Sequence, residues 1–207
     1  MVCVVVGVSA AGINAAKTLR EIDKNIEIIL VSKDEYVYSR CILHHFLDGR
    51  RDMKSLDFTP ENFFETYKIK WVKGVEVIGI DTNEKKLKLS NNEEVSYDKV
   101  ILATGSSSFL PPIENLRSAN NVIGLRNLDD AIKIKEEVKK VKNVAILGAG
   151  LVGVDALAGL LDYGVNITLI EMGDRILPLQ LDKYAAGVYE ERLREEGVDF
   201  RFGVRAE

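Results

Sequence analysis

Cys41 stands in the run Tyr38-Ser39-Arg40-Cys41-Ile42-Leu43-His44-His45. A cysteine beside an arginine, at the expected start of a helix, is biased toward thiolate, the nucleophilic and redox-active form. Cys41 is therefore the candidate catalytic residue. The only other cysteine, Cys3, lies inside the β-branched run Val2-Cys3-Val4-Val5-Val6 and reads as a small core residue. Two cysteines with no Cys-x-x-Cys exclude a disulfide framework and a zinc site, so thiol chemistry would run through Cys41 alone. His44 and His45 are the only histidines, and too few further ligands stand nearby to hold a metal. They read as helix-surface or packing residues, with proton donation as the functional alternative.

A second chemistry is written in glycines. Val144-Ala145-Ile146-Leu147 leads into Gly148-Ala149-Gly150-Leu151-Val152-Gly153, which opens a helix, and the next apolar run ends in Glu171. Glycine at these positions lets backbone N–H groups at a helix N-terminus meet a diphosphate with no side chain in the way. Glu171 falls 23 residues after Gly148, where a carboxylate accepts hydrogen bonds from an adenosine ribose and repels a 2′-phosphate. NADH is expected to be preferred over NADPH. Arg175 is the one nearby charge that could weaken this preference, and it reads as a surface or diphosphate-side charge. Asp155, two residues beyond Gly153, is either a functional acid or a carboxylate stabilised by the helix dipole.

Near the N-terminus Val2 to Val6 leads into Gly7-Val8-Ser9-Ala10-Ala11-Gly12, the same pattern with Ser9 where the second glycine should be. Aligning the following strands sets Ser32 opposite Glu171, so the ribose acid is missing there, and Asp34 or Glu35 could supply it from just beyond the strand.

These loops require elements to position them. Gly148 and Gly153 stand 141 residues after Gly7 and Gly12, so one strand–loop–helix–strand unit occurs twice. Continuous apolar strands alternating with helices mean parallel sheets covered on both faces. The expectation is an α/β chain of two Rossmann-like dinucleotide-binding domains, residues 1–110 and 111–207, joined by the Ser- and Pro-rich stretch 106–112. Trp71 to Ile80 reads as one strand and Lys86 to Ser90 as another, with a hairpin turn at Asn91-Asn92. Tyr97 to Gly105 reads as a buried strand, Ile132 to Val141 as a solvated helix, and Lys183 to Glu195 and Val198 to Phe202 as a closing helix and strand.

Composition narrows the rest. Among 207 residues, 28 Lys and Arg against 32 Asp and Glu leave a net charge of −4, which gives a nucleic-acid backbone no basic surface. The apolar start ends at Gly7, far short of a signal peptide or membrane span. No membrane association is expected, and a cytoplasmic location is the default.

The two glycine loops, Ala103-Thr104-Gly105, Leu125-Arg126-x-Leu128-x-Asp130-Ala131, Glu171-Met172 and Ile176-Leu177-Pro178, in this order, resemble the pyridine nucleotide-disulfide oxidoreductases. The resemblance runs from Val2 to Val204. It implies FAD along Gly7, Ser9, Ala10, Ala11, Gly12, Glu35, Arg40, Val77, Ala103, Thr104 and Gly105. It implies NADH on Gly148, Gly150, Leu151, Val152, Gly153 and Glu171, with Asp155 facing the nicotinamide–flavin junction. It further implies an enzyme that passes hydride from NADH to FAD and on to oxygen, peroxide, a disulfide or a redox protein. Cys41 looks like the cysteine of the single-cysteine branch, whose usual run is Cys-Gly-x-Pro-Tyr, whereas Ile42-Leu43-His44-His45 follows here. Relatives with proline at this position resemble rubredoxin reductases, which use no thiol. Family members continue for roughly as many residues again and form homodimers, so the chain is expected to be an N-terminal fragment with the second domain incomplete. A nucleotide-binding module without catalysis is the reading from another class.

Overall fold

The computed structural model describes residues 1–206. In chain order the first elements are β1 (Val2–Val6), α1 (Ala10–Ile22), β2 (Glu27–Ser32), α2 (Leu43–Leu47), α3 (Phe63–Thr66), β3 (Ile69–Lys73), β4 (Val77–Asp81), β5 (Lys86–Leu89), β6 (Glu94–Ser96) and β7 (Lys99–Leu102). They are followed by α4 (Leu128–Glu137), β8 (Asn143–Leu147), α5 (Leu151–Leu160), β9 (Asn166–Glu171), α6 (Lys183–Glu195) and β10 (Asp199–Phe202). Contacts divide the chain into two compact units, Met1–Ser39 with Ser55–Ser106, and Arg40–Lys54 with Ser107 onward. The change at Ser106 falls in the stretch read as a linker, and residues 103–113 carry no regular structure. Against a plain division by sequence, residues 40–54 group with the later unit.

The first unit is built on a parallel sheet of order β3-β2-β1-β7, with Val4 in register with Ile29 on one side and Val100 on the other. The central strands run apolar through Val2–Val6 and Ile28–Val31 because both faces are covered. Val5, Ile28 and Leu30 pack with Ile13 and Ala16 of α1. Val4, Val6, Ile29 and Val31 face Leu87, Leu89 and Tyr97, side chains brought by the antiparallel sheet β4-β5-β6 and its end. The run Trp71 to Ile80 is therefore not one strand. The chain leaves the parallel sheet at Lys73, turns at Gly74 with φ +72°, and enters the antiparallel sheet at Val77. Glycine permits that turn without strain. The hairpin at Asn91-Asn92 is present between β5 and β6, with Asn92 left-handed at φ +66°.

The second unit carries a parallel sheet of order β10-β9-β8. Ile146, Ile167, Leu169 and Phe200 from its strands pack with Leu157 and Leu160 of α5 and Ala186 of α6. α4 opens on a capping box in which Asn127 and Asp130 satisfy each other's backbone N–H groups. Residues 40–54 belong here because α2 is bonded to this unit. Leu43 and Leu47 are buried, Tyr163 Oη donates to the Leu47 carbonyl at 2.6 Å, and Lys135 Nζ donates to the Phe46 carbonyl at 2.9 Å. Gly159 makes room for them, since a β-carbon there would come 2.9 Å from Leu47 Cβ. Among the described residues no helix is long and apolar enough to cross a membrane.

Candidate functional site

The two glycine loops have one geometry. Gly7 and Gly148 take φ of +111° and +100°, and each donates its N–H at 2.8 Å to the carbonyl of the next parallel strand, Val31 or Ile170. A β-carbon on Gly12 would stand 1.8 Å from the Gly7 carbonyl oxygen, and one on Gly153 would stand 1.9 Å from that of Gly148. The third glycine thus lets the helix approach its own loop. Ser9 and Gly150, the N-caps of α1 and α5, share extended backbone at φ −87°, ψ −175° and φ −76°, ψ −175°. Serine therefore fits the second glycine's place without altering the loop.

At Gly150 a β-carbon would meet no atom within 4 Å. The fold itself makes no demand for glycine there, and the bare Cα leaves space for a group from outside. The first helical hydrogen bond in α5 runs from Val154 N–H to Gly150, so the N–H groups of exposed Leu151 and Val152 precede it at the positive end of the helix. Ala10 and Ala11 hold the same places in α1 and are exposed. Both cradles fit the diphosphate of a dinucleotide.

Ala103-Thr104-Gly105 reaches the first loop at the end of β7, where Ala103 N–H donates to the Val6 carbonyl at 2.8 Å. Thr104 and Gly105 are exposed beside it. Val77, half-buried, packs its side chain against the core under β1 and β2.

The acids differ between the units. Glu171, half-buried at the end of β9, accepts the Ala149 N–H on Oε2 at 2.8 Å and the Gly173 N–H on Oε1 at 2.7 Å. Its carboxylate therefore lies against the loop, where each oxygen retains a further lone pair. Arg175 donates to the carbonyls of Leu181 and Pro178, both at 3.1 Å, and pairs with Asp174. It staples its own turn. Ser32 is buried, donates to the Asp34 carbonyl at 2.7 Å and accepts Trp71 Nε1–H at 2.8 Å. Asp34 accepts from Tyr38 Oη at 3.0 Å, while Glu35 is exposed beside Gly74.

Residues 40–54 bring a polar cluster to the second unit. Cys41 is exposed in the single tight turn Arg40–Ile42 that precedes the five-residue α2. Arg40 Nε donates to Asn127 Oδ1 at 3.3 Å. His44 Nδ1 lies 3.6 Å from Asp155 Oδ1, His45 Nδ1 lies 3.5 Å from Asp48 Oδ2, and the imidazole centroids are 4.1 Å apart. Burial pushes the His44 pKa below its usual 6.5 against the pull of Asp155. Burial raises the Asp48 carboxyl, but the hydrogen bonds from Arg50 outweigh it and hold Asp48 below the usual carboxylate range. Among the described residues no group of His, Cys, Asp and Glu is arranged to hold a metal ion.

Sequence reasoning missed Ala149 and Leu177. Ala149 is completely buried, and its carbonyl accepts the Leu177 N–H at 2.8 Å from a left-handed Leu177 with φ +46°. No residue type signals this, since neither alanine nor leucine marks such a turn.

Over its whole length, residues 1–207, the chain matches the pyridine nucleotide-disulphide oxidoreductase family. The chain belongs to that family. An NADH oxidase of Methanocaldococcus jannaschii is 32% identical over 209 residues, covering 96% of this chain and 46% of that protein. A rubredoxin-NAD(+) reductase of Alcanivorax borkumensis is 33% identical, covering 98% of this chain and 53% of that protein. Among solved structures, an NAD-dependent persulfide reductase from A. fulgidus superposes with a TM-score of 0.90 at 30% identity, covering 100% of this chain and 40% of that one. The chain thus spans about half the length of the curated relatives it matches.

Proposed function

We propose that this chain is the nucleotide-binding part of an NADH-dependent FAD oxidoreductase, with FAD on the first unit and NADH on the second. The observation that carries this reading is the matched pair of loops, one with an acid at the end of the next strand and one without. FAD would be held by Gly7, Ser9, Ala10, Ala11 and Gly12 at its diphosphate, by Glu35 at its ribose and by Ala103, Thr104 and Gly105 beside the loop. NADH would be held by Gly148, Gly150, Leu151, Val152 and Gly153 at its diphosphate and by Glu171 at the adenosine ribose. When bound, the flavin supplies the means to take two electrons from NADH and hand them to an acceptor. The chain's own contribution is to bind and orient the nucleotides and to keep a 2′-phosphate away from Glu171. For the acceptor, the exposed thiol of Cys41 supports a disulfide-type substrate, and the rubredoxin reductases among the relatives support a redox protein.

Titration of the protein with NADH and NADPH tests the reading. NADH binds more tightly, and Glu171→Ala narrows the gap. Equal affinity of the unaltered protein for both nucleotides overturns it.

A further inference from the structure

We infer that Glu171 is a positioning residue as well as a ribose ligand, and that its carboxylate holds the second glycine loop in its nucleotide-ready shape before any nucleotide arrives. This rests on the reading of Gly148 to Gly153 as the dinucleotide site.

Ala149 is 0% exposed, so its N–H has no access to water and must be satisfied within the protein. Its partner is the side chain of Glu171, at 2.8 Å. The other oxygen of the same carboxylate takes the Gly173 N–H at 2.7 Å, so the group is pinned at both ends and cannot swing away without leaving two donors unmet. The Ala149 carbonyl is held from the opposite direction by Leu177 N–H, and the turn that carries Leu177 is anchored by fully buried Ile176, whose N–H donates to Glu190 of α6 at 3.0 Å. With Gly148 N–H on the Ile170 carbonyl, two consecutive residues just ahead of Gly150 are clamped by three hydrogen bonds, and only one of them comes from a replaceable side chain.

The first loop supplies an internal control. Ser32, at the place of Glu171, turns its hydroxyl to Asp34 and Trp71. A side-chain clamp from the strand end is therefore a property of the second loop and not a requirement of the fold.

The two roles of Glu171 predict opposite signs for a probe that lacks a ribose. If the carboxylate acted at the ribose alone, its removal would take a like charge from beside the diphosphate site, and inorganic pyrophosphate would bind equally well or more tightly. A positioning role predicts that Glu171→Ala weakens pyrophosphate about fivefold or more. Binding is read from the amide shifts of Leu151 and Val152. In the ligand-free protein Glu171→Ala also speeds hydrogen exchange at the Ala149 amide by about tenfold or more, while Ile146 and Leu169 in the sheet stay protected. Glu171→Gln keeps one oxygen to accept the Ala149 N–H and restores most of that protection. Unchanged exchange at Ala149, or pyrophosphate bound equally well or more tightly by the alanine variant, overturns the inference. Failure of the unaltered protein to bind either pyrophosphate or NADH would instead overturn the nucleotide-site reading, and the exchange measurement would still decide whether Glu171 clamps the loop.

Discussion

Gly7 and Ala103 touch backbone to backbone: a β-carbon on Gly7 would stand 2.3 Å from the carbonyl oxygen of Ala103. The contact arises because β1 and β7 are neighbours in the sheet and end together, so the loop leaving one lies under the segment leaving the other. Two motifs far apart in sequence thereby become one wall of the first glycine loop.

Gly7→Ala should accordingly be among the most damaging single-methyl changes in the first unit. The new methyl meets a backbone oxygen that cannot rotate away, and φ of +111° is one that alanine rarely adopts. Such strain plus overpacking costs about 2–4 kcal/mol. Urea unfolding should show a lower midpoint of that size, and an unchanged midpoint would contradict the geometry.

Most of the architecture was legible because it follows from local pattern. The duplicated strand–glycine–helix unit, the hairpin at Asn91-Asn92, and the closing helix and strand are set by residues near one another in sequence. What was not legible depends on distant partners. The break at Gly74 needs the second sheet to be known, and the grouping of residues 40–54 with the later unit needs the bare face of Gly159 that receives Leu47. At the candidate site, the glycines and Glu171 announce themselves by type and spacing. The clamp on Ala149 does not, because its donors are backbone groups that every residue carries.

Leu47→Ala tests the grouping of residues 40–54. Leu47 is completely buried, and removing its side chain from a packed site costs about 2–5 kcal/mol. The loss should register as faster amide exchange in α4 and α5, whose Lys135 and neighbouring Tyr163 bond to α2, with β2 and β3 unaffected. Loosening confined to β2 and β3 would assign α2 to the first unit.

His44 carries a pH signature whose sign is fixed by burial. Its folded pKa lies below the ordinary 6.5, because desolvation outweighs Asp155. The unfolded chain therefore binds the proton more readily, and stability should fall as pH drops below 6.5 toward the lowered folded value. Well above 6.5 the imidazole is neutral in both states and contributes no pH dependence. His44→Gln should flatten the stability profile on the acid side of this point and leave the alkaline side unchanged. A proton NMR titration of the native His44 ring with a midpoint above 6.5 would reverse the sign and refute the argument.

Cys41 decides between the two acceptor classes. A disulfide substrate would be attacked by the Cys41 thiolate, forming a mixed disulfide and releasing one substrate thiolate. Reducing that mixed disulfide to the Cys41 thiolate and the second substrate thiol would take two electrons and one proton, and FAD, when bound, would supply the two-electron chemistry. The exposed position of Cys41 admits such a substrate. Transfer to a redox protein needs no thiol at all. In the flavin-loaded protein Cys41→Ser should therefore leave NADH-driven bleaching of the flavin intact and lower turnover of a disulfide by about a hundredfold or more. Disulfide turnover equal to that of the unaltered protein would eliminate the thiol route and leave direct transfer to a protein partner or to oxygen as the chemistry of this chain.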